Sequence, residues 1–170
     1  DDVAAAMQAA EAIGYPLMLK PAGGGGGIGM RVVPDADELT RVFGQAGRLA
    51  GAAFQDAGLF LESCVDLPRH VEIQLLGDGQ GGAMHLYERD CSLQRRHQKL
   101  VEEAPAPGLA RATIEGLAAR AALVMGPLGY DRVGTVGMLR SGAGDFRFIE
   151  MKTRNQVAHA GVAAGSGLAL

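Results

Sequence analysis

Cysteine is scarce in this chain. Its 170 residues hold only two, Cys64 and Cys91. They lie apart, without the paired spacing of a metal site, and read as reduced thiols of a cytosolic protein. A dominant charge is also missing. The formal net charge is −3 with no basic block, which excludes a nucleic-acid partner recruited by bulk electrostatics. The basic residues gather locally instead, at Arg95, Arg96, His97 and Lys99. No apolar run is long enough to span a bilayer, and no signal peptide is recognisable. The expected location is cytoplasmic, with no membrane partner. Apolar content of 48% and charged content of 21% are those of an ordinary globular chain, long enough for one domain or one and a half. The chain starts at Asp1 and stops at Leu170 with no helix end in sight, so it is expected to be a piece of a longer protein.

What the chain does have is glycine, concentrated in Lys20-Pro-Ala-Gly-Gly-Gly-Gly-Gly-Ile-Gly-Met30-Arg31. Five consecutive glycines follow the apolar run Pro16 to Leu19 and its terminal Lys20. Glycine lets the backbone turn tightly and brings its N–H groups close to a bound group. Successive N–H donors form an anion-binding concavity, and lysine adds a point charge suited to phosphate. No Gly-Lys-Ser/Thr closes the loop, so it is not a Walker motif. Nor does it stand in the usual setting of a dinucleotide fingerprint. A flexible linker is the alternative, but apolar runs on both sides, the second being Met30 to Val33, argue for a hairpin with a glycine tip.

Periodicity outlines the rest. Residues 2–13 read as a helix with Val3, Met7, Ala10 and Ile13 on one face, ended by Gly14. Strands are expected at 16–20 and 30–33. Asp35 and Glu38 form a capping-box pattern. The helix they open is expected to turn Leu39, Val42, Phe43, Ala46, Leu49 and Ala53 inward. Its glycines, Gly44, Gly47 and Gly51, each cost about 1 kcal/mol relative to alanine in a helix interior. Leu59 to Glu62 reads as a strand. Residues 69–76 alternate, with Val71, Ile73 and Leu75 on one side and His70, Glu72 and Gln74 on the other. A turn at 78–82 leads to a return strand at 83–89. Residues 90–104 are a dense polar string, and Pro105 and Pro107 bound the next element. Residues 109–125 are expected to be helical, with Leu109, Leu117, Ala121 and Val124 inward. Residues 132–140 and 145–151 form a hairpin around Ser141 to Gly144. The pattern is α+β, with antiparallel hairpins and flanking helices.

Several strings together resemble one family: Gly14 to Lys20, the glycine loop, Arg69 to Gln74, Glu88-Arg-Asp-Cys-Ser-Leu-Gln-Arg-Arg-His-Gln-Lys99, Val101 to Pro107, and Phe148 to Met151. They are similar to biotin carboxylase, the ATP-grasp ligase of acetyl-CoA, propionyl-CoA and pyruvate carboxylases. The resemblance runs over essentially the whole chain and matches about the middle third of a complete family member. It implies an ATP-grasp lid domain at residues 1–65 and a partial core domain at 66–170. It also implies the family reaction: ATP phosphorylates bicarbonate to carboxyphosphate, and the CO2 released carboxylates biotin N1. The cofactors implied are ATP and Mg²⁺, with Mn²⁺ as an allowed substitute, and biotin is the substrate on its carrier. The implied partners are a biotin carboxyl carrier domain and a carboxyltransferase, and the resemblance allows a homodimer. Such catalysis clamps a phosphoryl group electrostatically.

By position, the resemblance makes Lys20 a phosphate contact and Gly24, Gly25, Gly26 and Gly27 a mobile lid loop. It sets Met30, Glu62 and Val65 around adenine, and His70, Gln94 and His97 at ribose or phosphate. Lys99 and Arg154 become clamps on bicarbonate and carboxyphosphate, with Gln156 and Val157 completing that site. Glu150 becomes a Mg²⁺ ligand, an oxygen donor suited to a hard ion.

The chain also departs from the family pattern. Gly137 stands where the family has a metal-binding glutamate, and Lys152 where it has an asparagine. Ala158 stands where the family has the glutamate expected to act as general base on bicarbonate. Ala160 replaces a proline, Ser63 a lysine and Ile28 a loop arginine. A lysine ~4 Å from a divalent ion is repelled by several kcal/mol at an effective dielectric near 20. Alternatively, its ammonium stands in for a lost ion. Loss of a general base costs a factor of roughly 10² to 10⁴. Two functions are therefore weighed: a biotin carboxylase segment, impaired or inactive by itself, and a non-catalytic nucleotide-binding or assembly module derived from one. A ligase joining a carboxylate to an amine fits Arg95-Arg-His-Gln-Lys99 less well.

Overall fold

The computed structural model describes residues 2–24, 27–95 and 98–154. The chain divides into two compact units, Asp1–Val65 and Asp66–Leu170.

In the first unit, helix α1 (Val3–Ile13) starts at Asp2, whose side chain accepts the Ala5 N–H, and stops at Gly14 with φ 86°. Strand β1 (Leu17–Pro21) pairs antiparallel with β2 (Arg31–Val33) on one side and β3 (Leu59–Ser63) on the other. The glycine loop thus tips a β1–β2 hairpin, as its flanking apolar runs suggested. Between β2 and β3 lies α2 (Ala36–Phe54), with the Asp35 carboxylate accepting the Glu38 N–H. The other half of the capping box is replaced, because the Glu38 carboxylate pairs with Arg41. Leu17, Leu19 and Val33 pack with Ala10, Leu39, Val42 and Ala46 into a core. Only one face of β1 enters it, so Met18 and Lys20 lie on the opposite face.

The burial of the helices differs from several inward assignments. Val3 and Ile13 are exposed and Ala10 alone of α1 is buried. In α2, Leu49 and Ala53 are exposed while Ala50 is buried. Positions 39, 42, 46 and 50 share one buried stripe at helical spacing; Leu49 lies at its edge and Ala53 in the helix's last turn, and both are exposed.

In the second unit, β4 (Arg69–Gly77), β5 (Ala83–Asp90), β8 (Val133–Arg140) and β9 (Phe146–Lys152) form an antiparallel sheet in the order β5-β4-β8-β9. The short pair β6 (Gln94–Arg95) and β7 (Gln98–Lys99) and the helix α3 (Arg111–Met125) lie between β5 and β8 in the chain. One sheet face buries Ile73, Leu75, Val136 and Met138 against Ala118, Ala121, Ala122 and Met125 of α3. Small alanines let the helix lie close to the sheet. Ile114 and Ala118 carry the α3 core stripe, and Val124 is exposed, against expectation. The helix is apolar on more sides than it buries, so composition could not choose its inner face.

Candidate functional site

In the second unit the sheet face away from α3 is polar, and its register lines up charged groups across strands. Arg89, Glu72, Gly137 and Glu150 occupy facing positions on β5, β4, β8 and β9. One step along, Gln74, Thr135 and Lys152 do the same. Residues facing each other across an antiparallel pair point to the same side. The alternation read in residues 69–76 therefore delivers His70, Glu72 and Gln74 to one surface.

Glu72 is the hub. It is 0% exposed, and its Oε1 lies 2.6 Å from Lys99 Nζ, 3.2 Å from Lys152 Nζ and 3.4 Å from His70 Nε2. Its Oε2 lies 3.3 Å from Arg89 Nη2. Burial alone would push this carboxyl up, but the hydrogen bond and charge of Lys99, with the charge of Lys152, hold it down at about 2. Arg89, equally buried, donates Nη1–H to Gln74 Oε1 at 2.7 Å and Nε–H to Glu102 Oε2 at 3.1 Å. Gln74 in turn donates to the Gly134 carbonyl at 2.9 Å. A buried ion cluster is tolerable only when satisfied in this way.

Lys152 reaches both Glu72 and, at 3.0 Å, Glu150 Oε1. Burial would lower its pKa, but the hydrogen bond to Glu150 and the charge of Glu72 raise it. The ammonium is therefore firmly held. Gly137 sits directly across from Glu72 and Glu150. A Cβ built there would meet Glu150 Cγ and His70 Nε2 at 3.5 Å, ordinary contact distance. Nothing in the backbone demands glycine at this position, and its effect is to leave space beside Glu150.

The polar string 90–107 folds over the same region. Asp90 and Glu103 exchange backbone hydrogen bonds at 2.8 and 2.9 Å, and Arg69 binds Asp90 Oδ2 at 2.6 Å and the Pro107 carbonyl at 2.7 Å. Glu88 accepts from the Ala106 N–H at 2.9 Å and from Arg111 at 2.6 Å. These anchors carry Gln94 to 2.7 Å from His70 Nδ1 and Lys99 to Glu72. Gln94 donates there, so Nδ1 accepts and the His70 proton sits on Nε2, facing Glu72. Burial lowers the His70 pKa, with Lys99 and Lys152 adding to it against the pull of Glu72. A metal set of Glu72, Cys91 and Glu102 is geometrically conceivable. Lys99 and Arg89 already serve its carboxylates, and burial pushes the Cys91 thiol up to about 12. It carries no ligand role.

In the first unit, Lys20 and Glu62 pair with each other through a short ion pair. Lys20 also lies 6.0 Å from the centre of the Phe60 ring. Met30 and Val65 are half-buried at the ends of β2 and β3. Gly27 and Gly29 have φ of 84° and 78°, which L-residues avoid, and a Cβ at Gly29 would press on Pro21 Cγ at 2.8 Å. A Cβ at Gly24 would lie 3.1 Å from Pro21 Cβ.

Of the residues singled out from sequence, His70, Gln94, Lys99 and Glu150 thus meet on one face of the second unit, and Lys20 and Glu62 meet in the first. Arg154 follows β9 and is exposed. Gly25, Gly26, His97, Gln156, Val157 and Ala158 lie outside the described residues. The hub Glu72 and its partner Arg89 were not singled out. Their signal was a charged residue at an every-second position on strands whose other face is aliphatic.

Over residues 1–170 the chain matches the family described as carbamoyl-phosphate synthase L chain, ATP binding domain, and it belongs to that family. Within it, the chain is 49% identical over 159 residues to the biotin carboxylase of Pseudomonas aeruginosa, covering 94% of this chain and 35% of that protein. The biotin carboxylase domain dimer of the Hydrogenobacter thermophilus 2-oxoglutarate carboxylase, solved with MgADP, ADP and bicarbonate, superposes with a TM-score of 0.94 at 40% identity, over 99% of this chain and 37% of that one. The biotin carboxylase–β-γ-ATP complex of Campylobacter jejuni gives 0.93 at 44% identity, over 98% and 37%. The fold is thus the α+β ATP-grasp arrangement that the resemblance implied. The chain spans about a third of the length of the curated relatives it matches, 35% of the first. Among the described residues, no helix is long and apolar enough to cross a membrane.

Proposed function

We propose that this chain is the nucleotide-binding segment of a biotin carboxylase, whose whole reaction is the ATP-dependent carboxylation of biotin by bicarbonate. In this reading residues 1–65 act as the lid and 66–170 as part of the core. ATP arrives with Mg²⁺ on its phosphates. Lys20 and the glycine loop meet the phosphates, while Met30, Glu62 and Val65 meet adenine. His70, Gln94 and His97 meet ribose or phosphate. Lys99 and Arg154, with Gln156 and Val157, clamp bicarbonate, and Glu150 faces the nucleotide's cation. The biotin carrier domain, the carboxyltransferase and a second copy of the same protein are the partners of the whole enzyme, in the cytoplasm. The observation that carries this reading is the convergence of His70, Gln94, Lys99 and Glu150 on one face around Glu72.

A second reading, a module that binds nucleotide without chemistry, is favoured by one observation: the Lys152 ammonium lies against Glu150 and Glu72. Calorimetric titration of ATP and an assay of bicarbonate-dependent, biotin-stimulated ATP hydrolysis separate the two. ATP binding without turnover by the chain, and without rescue by Ala158→Glu alone, is expected, and fits both the second reading and a first-reading segment inactive by itself. Biotin-stimulated turnover supports the first. If ATP does not bind at all, both fail. Lys20→Met is expected to weaken ATP binding roughly tenfold, the scale of one charged hydrogen bond.

A further inference from the structure

The family resemblance implies a divalent ion beside Glu150, and the described side chains do not fit one. Of the row Glu72–Gly137–Glu150, the central position offers no donor atom. The gap between the outer carboxylates is bridged by an ammonium 3.2 Å from one and 3.0 Å from the other. A hard dication needs several oxygen ligands and no cation among them. Among the described residues the ion pairs of this cluster join three cations, Arg89, Lys99 and Lys152, to three carboxylates, Glu72, Glu102 and Glu150, in one connected set. A dication entering this set would add positive charge beside the half-buried Lys152 ammonium.

We propose that Lys152 is a built-in counter-ion that closes the Glu72–Gly137–Glu150 row to divalent cations, so that this face serves a nucleotide phosphate with no metal held by the protein. The part concerning phosphate rests on the nucleotide-binding reading above, and the part concerning metal does not. A divalent ion that arrives on ATP is then held by the phosphates alone. Gly137 and Lys152 act together in this. The glycine leaves room beside Glu150, and the lysine supplies a counter-charge to Glu150 while adding to those on Glu72.

The test is Mn²⁺ alone, titrated into the whole chain without nucleotide and followed by paramagnetic resonance of the free ion. Paramagnetic broadening of the Glu72 and Glu150 backbone amides is read in parallel. The unmodified chain is expected to take up no Mn²⁺ at this row and to show no broadening there. Lys152→Gln, which keeps length and removes charge, is expected to gain at least a tenfold increase in Mn²⁺ affinity. Lys152→Arg, which keeps the charge, is expected to stay inert. Broadening of Glu72 and Glu150 in the unmodified chain overturns the proposal whether or not any variant folds. Equal Mn²⁺ uptake by Lys152→Arg and Lys152→Gln overturns it, as does a folded Lys152→Gln chain that gains nothing. In a separate arm, ATP affinity in excess EDTA is expected within about threefold of that with Mg²⁺, and a tenfold gain from Mg²⁺ overturns the phosphate part. Absence of ATP binding under both conditions overturns the nucleotide reading, and the Mn²⁺ arm still decides the role of Lys152.

Discussion

Removing the hub charge should cost more than any other single polar change in the second unit. Glu72→Gln keeps the side-chain volume but leaves Lys99, Lys152 and Arg89 facing a neutral amide at a position that is 0% exposed. Breaking a buried ion pair from one side costs about 3–5 kcal/mol. That is a large share of the ~5–15 kcal/mol that hold a domain folded. Linkage gives a second route to the size. The Glu72 carboxyl is held at about 2, against 4.5 for an ordinary glutamate. Its folded-state value is depressed, so the stabilisation is fully present above pH ~4.5 and is lost as pH falls toward ~2. At about 1.4 kcal/mol per unit this amounts to ~3 kcal/mol, in agreement with the mutational range. The assay is urea unfolding of the second unit at neutral pH and along the acid limb. Arg41→Ala serves as the control, because Arg41 is 70% exposed in its pair with Glu38 and such pairs contribute under about 1 kcal/mol. Glu72→Gln is expected to lose ~3 kcal/mol or more at neutral pH and to flatten the acid limb between pH ~4.5 and ~2. A loss no larger than the control, or an unchanged acid limb, would refute the view that Glu72 organises this face.

Four more outcomes follow from packing and charge. Gly137→Ala should be neutral or stabilise by about 0.5–1 kcal/mol, because a Cβ there meets its neighbours at 3.5 Å and strand glycine is entropically costly; a clear loss of stability in urea unfolding would contradict this. Gly77→Ala should destabilise strongly, since its Cβ would run into the Tyr130 carbonyl, whereas Gly116→Ala in open space on α3 should gain up to about 1 kcal/mol; the two denaturation midpoints should move in opposite directions. Ile114→Ala should cost about 2–5 kcal/mol and Leu123→Ala within about 0.5 kcal/mol, because the first is 0% and the second 75% exposed; similar losses would put the α3 core stripe elsewhere. Lys152 has a raised folded-state pKa, so its ion pairs contribute fully below the ordinary lysine value and are lost as pH rises through the folded value. Lys152→Gln should therefore blunt any alkaline unfolding limb above pH ~10.5.

Much of this architecture was readable from local rules. The hairpin around the glycine loop, the Asp35 cap, the alternation of β4 and the β8–β9 hairpin all rest on short-range chemistry, and each stands where periodicity and turn residues set it. The departures are in which helix residues are buried. In α3, where alanine makes the apolar stripe faint, Val124 lies off the buried side, while in α2 Leu49 lies at the edge of a clear stripe and Ala53 in its last turn. The polar string 90–104 could not be resolved by periodicity, because groups on other elements hold it and the prolines after it: Arg69 on Asp90, Glu88 on the Ala106 N–H, and Glu72 on Lys99.

The site divides along the same line. The resemblance supplied the residues a nucleotide would touch, but residue types alone could not say whether Lys152 expels an ion or replaces one. Register supports the second picture, on the proposal above. Lys152 faces Thr135, one step from the Glu72–Gly137–Glu150 row, and its ammonium ends between the two carboxylates. A lysine repelled from a cation site would turn to solvent, where its charge is well hydrated. This one gives up part of that hydration to reach two acids, and of these Glu150 pairs with no other cation among the described residues. A glutamate at 137 would bring a third carboxylate to the same spot, and one ammonium would not balance it. The loss of acid at 137 and the gain of base at 152 are thus two halves of one electrostatic change, and each is better tolerated with the other than alone.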